Sequence, residues 1–232
     1  MSREIDVPEN QRPRSRYEVV FEDADLLVID KPAGLSVQES DTTLRRHTLE
    51  GLLQAAYRPK GIVPRLVHRI DKETSGLIVV AKRPQVADDL EKMFETRAVE
   101  KEYLVLVVGW LFPKQGTIDF SLPGRDGRLV GARTLYRVEK EFSETTLARV
   151  KTGTGRMHQI RLHFAHIRHP LVGERKYAYG RDAVLRHKRA ALHAASIAFD
   201  PPWGGSPIRV EAPLPLDLQN LLAKLRGPRS IK

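Results

Sequence analysis

Val67-His-Arg-Ile-Asp-Lys-Glu-Thr-Ser-Gly-Leu77 packs a strand ending, a polar loop and the start of an apolar strand into one short stretch. Upstream, Leu66 to Ile70 is a short β-type run. Downstream, Leu77 to Ala81 is apolar without interruption, the pattern of a strand buried on both faces. Gly76 lets the chain turn back into that strand. Asp71 therefore sits on a loop anchored at both ends, where a carboxylate can act as nucleophile or base. The spacing alone more readily fits a carboxylate that caps the loop or pairs with a neighbouring cation.

Working outward, Tyr17-Glu-Val-Val-Phe21 and Leu26-Leu-Val-Ile-Asp30 read as short strands around the turn-like Glu22-Asp-Ala-Asp25. Thr48 to Tyr57 reads as a helix. Pro84 opens a second helix to about Thr96, with Val86, Leu90, Met93 and Phe94 on one face. Strands follow at 101–110, 116–120, 133–140 and 145–152. A helix is expected over Gly155 to Ile167, then strands at 191–199 and 207–212 and a closing helix at Leu216–Leu225. The expected fold is α+β, a mixed and mostly antiparallel β-sheet core flanked by helices. Residues 1–16 are polar, carry Pro8 and Pro13, and read as a flexible leader to one domain over residues 17–232.

The 232 residues contain no cysteine, which excludes disulfides and thiolate metal sites. The N-terminus has no apolar run of signal-peptide type, and no stretch is long and apolar enough to span a bilayer. A cytoplasmic location is expected. The formal charge is +10, and the segment 151–190 holds ten Lys and Arg against Glu174 and Asp182. A net +8 in about a sixth of the chain suits a face that neutralises phosphates. His158, His163, His166 and His169 lie in the same segment. No carboxylate falls between Gly155 and Gly173, and no His-Glu-x-x-His pattern occurs, so no metal is expected. Neither a Gly-x-x-x-x-Gly-Lys-Ser/Thr loop nor a strand-linked Gly-x-Gly-x-x-Gly is present, so no nucleotide cofactor is expected.

His68-Arg-Ile-Asp-Lys-Glu-Thr-Ser-Gly76 resembles the His-Arg-Leu-Asp-x-x-Thr-Ser-Gly signature of the RluA-type pseudouridine synthases. Six further blocks resemble that family in its order. They are Val28-Ile-Asp-Lys-Pro-Ala-Gly-Leu35, Lys101-Glu-Tyr-Leu-Val-Leu-Val-Val-Gly109 and Thr154-Gly-Arg-Met-His-Gln-Ile-Arg-Leu-His163, then His169-Pro-Leu-Val-Gly-Glu-Arg-Lys-Tyr177, Leu192-His-Ala194 and Ala212-Pro-Leu-Pro215. The likeness spans about residues 17 to 215. Two departures stand out: Ile70 replaces the usual leucine, and the leader is too short for the S4-type RNA-binding domain that many members carry.

The resemblance implies conversion of uridine to pseudouridine in structured RNA, ribosomal or transfer, by a cofactor-free enzyme. A monomer is expected, since nothing in the sequence requires otherwise. Asp71 takes the essential carboxylate role; attack on the sugar, attack on the base and removal of a ribose proton all remain open. Tyr103 matches the tyrosine that stacks on uracil, and Arg161 the arginine that pairs with the aspartate, which would favour its ionised form. Arg69 matches the residue that fills the place of the flipped base. Around these, His68, Thr74, Arg156, His158, Gln159, Arg175 and Lys176 are expected to meet the RNA. A silent RNA-binding protein on the same fold would not need Asp71, Tyr103 and Arg161 together.

Overall fold

The computed structural model describes residues 16–40, 43–124, 126–178 and 187–225. The expected leader lies outside the described residues except for Arg16, as do residues 179–186 of the basic segment.

Strands β1 (Glu18–Glu22) and β2 (Leu26–Lys31) form a hairpin. Its turn is held by Asp23, whose Oδ1 accepts from the Asp25 and Leu26 N–H groups at 2.7 and 2.8 Å. Helix α1 (Leu49–Tyr57) is capped by Thr48, whose hydroxyl accepts from the Gly51 N–H at 3.2 Å. β3 (Arg65–Leu66) and β4 (Ser75–Ala81) flank the 67–74 loop, and α2 (Pro84–Glu95) follows with proline in its first turn. Next come β5 (Glu100–Val108), β6 (Gln115–Asp119), the small hairpin β7 (Leu122–Pro123) with β8 (Leu129–Val130), β9 (Arg133–Glu141) and β10 (Thr145–Thr152). Helix α3 (Gln159–His166), β11 (Leu192–Phe199), β12 (Ile208–Glu211) and α4 (Leu216–Lys224) complete the order.

One sheet runs β1-β2-β4-β11-β5-β10-β9-β6, with β12 on β11 and β3 on β4. Its only parallel pairing among the described residues is β4 with β11, at Ser75–His193 and Gly76–Ala194. The fold is thus α+β with a mostly antiparallel sheet, as the sequence led us to expect. β4 is buried along its whole length. Leu77, Val79 and Ala81 pack with α2, while Ile78 and Val80 pack with α1 on the opposite face. Fully burying each Val, Leu or Ile contributes about 1.5–3 kcal/mol, so the strand after the loop is a firm anchor. Helix α3 packs on the α1 side through Ile160 and Phe164, and α4 packs on the α2 side through Leu218 against Leu106. No helix among the described residues is long and apolar enough to cross a membrane.

Two boundaries depart from expectation. The run Leu66–Ile70 pairs in the sheet only at Arg65–Leu66. Beyond it, the β4 edge is taken by a side chain, because His68 Nε2 accepts the Val79 N–H at 2.9 Å, and then by β11. The chain must leave the sheet there, and the loop is the result. The helix expected from Gly155 starts instead at Gln159. Gln159 Oε1 accepts from Thr154 Oγ1 at 2.6 Å and from the Arg156 N–H at 3.2 Å, while its Nε2 donates to the Arg133 carbonyl and Thr134 Oγ1. These bonds hold 154–158 as a turn, and His158 takes a left-handed conformation (φ 53°, ψ 25°).

Candidate active site

Register alone assembles the floor of the site. Lys31, Gly76, Ala194 and Tyr103 are successive cross-strand partners on β2, β4, β11 and β5. Between the two long side chains stand a glycine and an alanine. A Cβ on Gly76 (φ 107°) would lie 2.2 Å from the Ala194 carbonyl oxygen, so only glycine permits this approach.

The 67–74 loop is pinned through three consecutive carbonyls. That of Asp71 accepts the Thr74 N–H at 3.0 Å. That of Lys72 accepts the Gly34 N–H at 2.8 Å and Lys31 Nζ at 3.2 Å. That of Glu73 accepts Arg189 Nη1 at 3.1 Å. Lys31 is fully buried and also donates to the Pro32 and Leu35 carbonyls at 2.9 and 3.0 Å. Burial, then the Arg189 charge, pushes its ammonium down to about 7, against the pull of Asp71 and Asp30. Three carbonyl acceptors match the three N–H bonds of the charged form and also oppose that push.

The Asp71 carboxylate keeps 26% of its surface exposed and stands between Arg161 and His158. Arg161 Nη1 is 3.7 Å from its Oδ2, and His158 Nε2 is 3.8 Å from its Oδ1. Neither distance is a hydrogen bond. The tight partner of Arg161 is instead Glu174, through Nε–Oε2 at 2.6 Å and Nη2–Oε1 at 2.8 Å. Glu174 also accepts the Lys176 and Tyr177 N–H groups. Burial works to raise its carboxyl, but the Arg161 fork and these N–H groups override it and hold it below the usual carboxylate range. Arg161 is therefore fixed by Glu174 and turns its remaining nitrogen toward Asp71.

Tyr103 ends the row and lies within reach of the Asp71 charge. Burial first, then the Asp71 charge, pushes its phenol up to about 12. The resting side chain is a neutral phenol, an apolar ring with one O–H to give.

The structure brings Asp71, Tyr103, Arg161 and His158 together and leaves Arg69, Arg156, Arg175 and Lys176 exposed. Three of the residues expected to meet RNA make contacts within the protein or are buried. His68 stacks on Phe94 of α2 at 4.3 Å and holds the Val79 N–H, while burial and Lys101 push its ring down to about 3. Gln159 is buried, with its amide oxygen spent on the 154–158 turn and its amide nitrogen on Arg133 and Thr134 of β9. Thr74 is buried at the end of the loop. The sequence reading missed Lys31, Glu174 and Tyr177, and also Arg189, which is buried and forks onto Asp217 at 2.8 and 3.1 Å. Glu174 carried a signal: it was one of two acids in the basic segment. A concavity of about 460 Å³ lies elsewhere. It is lined by Glu102, Arg137, Arg149 and Lys151, and Glu102 alternates with Tyr103 to the opposite face of β5.

A partly exposed carboxylate on a pinned loop, a tyrosine close enough to feel its charge and an arginine facing one of its oxygens thus form one polar cluster. The sequence profile described as RNA pseudouridylate synthase matches residues 25–166, which include Asp71, Tyr103 and Arg161, and the chain belongs to that family of isomerases, which convert uridine in RNA to pseudouridine. Among its relatives, ribosomal large subunit pseudouridine synthase D of Nitrosomonas europaea is 40% identical over 228 residues, covering 90% of this chain and 65% of that protein. The chain thus spans a little under two thirds of that relative's length. An uncharacterized RNA pseudouridine synthase of Bacillus subtilis is 35% identical over 224 residues, covering 90% of this chain and 73% of that protein. The structure of human RNA pseudouridylate synthase domain containing 4 superposes with a TM-score of 0.72 at 25% identity, covering 91% of this chain and 94% of the other.

Proposed function

We propose that this chain isomerises specific uridines of structured RNA, ribosomal or transfer, with Asp71 as the reacting carboxylate. The observation that carries the reading is the placement of Asp71 beside Tyr103 and facing Arg161, on a loop pinned from three sides. The isomerisation breaks N1–C1′, turns the uracil and joins C5 to C1′. The proton on C5 leaves and N1 gains one, so neither electrons nor a co-substrate are consumed. The uridine must first leave its stack, at a cost of a few kcal/mol. Arg69 then fills the vacated place. Tyr103 supports the uracil ring, and Arg161 orients Asp71. Exposed Arg156, Arg175 and Lys176 take backbone phosphates. Ribosomal RNA is the first substrate to test, given the name of the Nitrosomonas relative. A cytoplasmic monomer is part of the same proposal.

The test is a map of pseudouridines in ribosomal and transfer RNA from cells with and without this protein. Loss of a small set of sites, restored by the wild-type chain but not by Asp71→Asn, is expected. An unchanged map in both RNAs would contradict the proposal.

A further inference from the structure

Around Asp71, the Arg161 side of the carboxylate is accounted for and the other oxygen is not. His158 Nε2 faces that oxygen at 3.8 Å. On its far side, His158 Nδ1 is 2.6 Å from the Tyr177 hydroxyl. The rings meet edge to face at 5.6 Å. Tyr177 lies three residues beyond Glu174, which holds Arg161, so one short segment carries the anchors of both groups that face Asp71. That segment leaves Gly173 (φ 78°), where a Cβ would meet the Arg189 carbonyl oxygen at 2.1 Å, and Arg189 in turn holds the Glu73 carbonyl of the Asp71 loop. The segment and the loop therefore share one rigid support.

We infer that His158 and Tyr177 form a positioning pair that steers Asp71 Oδ1, the counterpart of the Glu174–Arg161 pair on Oδ2. This inference rests on the reading of Asp71 as the reacting carboxylate. The tautomer follows from donor supply. The phenol has one proton to donate, and given to Nδ1 it leaves the hydrogen of a neutral ring on Nε2, pointing at the carboxylate. The opposite tautomer would set a lone pair against an anion. Burial acts first to lower the His158 ring, and Arg161 and Lys176 act with it against Asp71 and Glu174, so the ring is neutral at pH 7. A neutral imidazole whose side chain is 19% exposed is a poor phosphate ligand and a good positional donor. The left-handed backbone at His158 turns the ring inward, a conformation that Asn, Asp and His accept more readily than most residues. Gaps near 3.8 Å on both oxygens leave the carboxylate aimed but not locked, and such contacts shorten when substrate closes the site.

The experiment measures the single-turnover rate at saturating RNA and, separately, RNA affinity and melting temperature. His158→Ala and Tyr177→Phe should each slow the saturated rate about 10- to 100-fold while affinity changes less than about threefold. His158→Gln, which places an N–H near the Nε2 position, should recover activity over His158→Ala. His158→Asn, which suits the left-handed backbone best but reaches only the Nδ1 position, should not. Tyr177→Phe should add nothing in the His158→Gln background, where Nδ1 is gone. Weakened affinity with an unchanged saturated rate would make His158 an RNA contact and overturn the inference. So would recovery by Asn rather than Gln, which would mark a backbone role. An active Asp71→Asn would remove the underlying reading. An inactive Asp71→Asn beside a fully active His158→Ala would remove this inference alone.

Discussion

Asp71 was legible from its motif; the residues that hold it in place were not. The motif places it on a loop between strands, and register puts Tyr103 opposite Ala194, close enough to Asp71 to feel its charge. Glu174 looked in the sequence like a stray acid in a basic run, yet its side chain is fully buried and takes the Nε–Nη2 edge of Arg161. Only the fold brings positions 71, 161 and 174 together. The tyrosine makes a prediction about pH. Its phenol is pushed up to about 12, so it stays protonated through the alkaline range. Between pH 8 and 9.5 the saturated single-turnover rate should be flat, because His158 and Lys31, whose values are lowered, change state below this window. A working phenolate would instead raise the rate tenfold per pH unit up to about 12. Measuring that rate with a short stem-loop substrate decides between the two.

Among the elements, α1, α2 and most strands could be read from periodicity and caps, while the end of β3 and the start of α3 could not. Both misplaced boundaries lie where a polar side chain replaces a backbone partner, His68 on Val79 and Gln159 on Arg156. Periodicity does not register such bonds. A third side-chain device ties α4 to the Asp71 loop. Buried Arg189 forks onto Asp217 in the first turn of α4, and also reaches Ser75 Oγ and the Glu73 and Leu192 carbonyls. Ser75 Oγ is in turn 3.0 Å from His193 Nδ1. Asp217→Ala leaves the guanidinium buried and without its carboxylate, so it should destabilise the protein by about 3 kcal/mol in urea unfolding. Arg189→Met combined with Asp217→Leu should cost less than Asp217→Ala, because no uncompensated charge remains. Additive losses in the double variant would contradict this view of the pair.

For the whole molecule, composition predicted a polyanion-binding face, and the structure divides the charge in a way composition does not. The α1 and α3 side of the sheet carries Asp71, with exposed Arg156, Arg175 and Lys176 near it in sequence and through Tyr177 and His158. On the opposite face, Arg149 and Lys151 are spent on Glu102, Glu139 and Glu100. Changing Arg156, Arg175 and Lys176 to Ala should therefore lower the slope of log affinity against log salt by about 2, at about 0.7 per lost contact on a single strand. Changing Arg137 and Lys151 on the other face should leave the slope unchanged. Equal effects from both sets, read by binding titrations from low to high salt, would mean the RNA does not select the Asp71 face. The parallel β4–β11 pairing that creates this face was not legible beforehand, because strand order is a tertiary choice that alternation along each strand does not encode.

Joining C5 of uracil to C1′ must expel the proton on C5, and this event can be counted directly. Ribosomal and transfer RNA transcribed with uridine tritiated at C5 would be incubated with the wild-type chain and with Asp71→Asn. The account predicts one tritium released to water for each pseudouridine formed by the wild type, and release slowed at least about 10³-fold by Asp71→Asn in a protein that still folds and binds RNA. Tritium release by Asp71→Asn at a rate near wild type would contradict it.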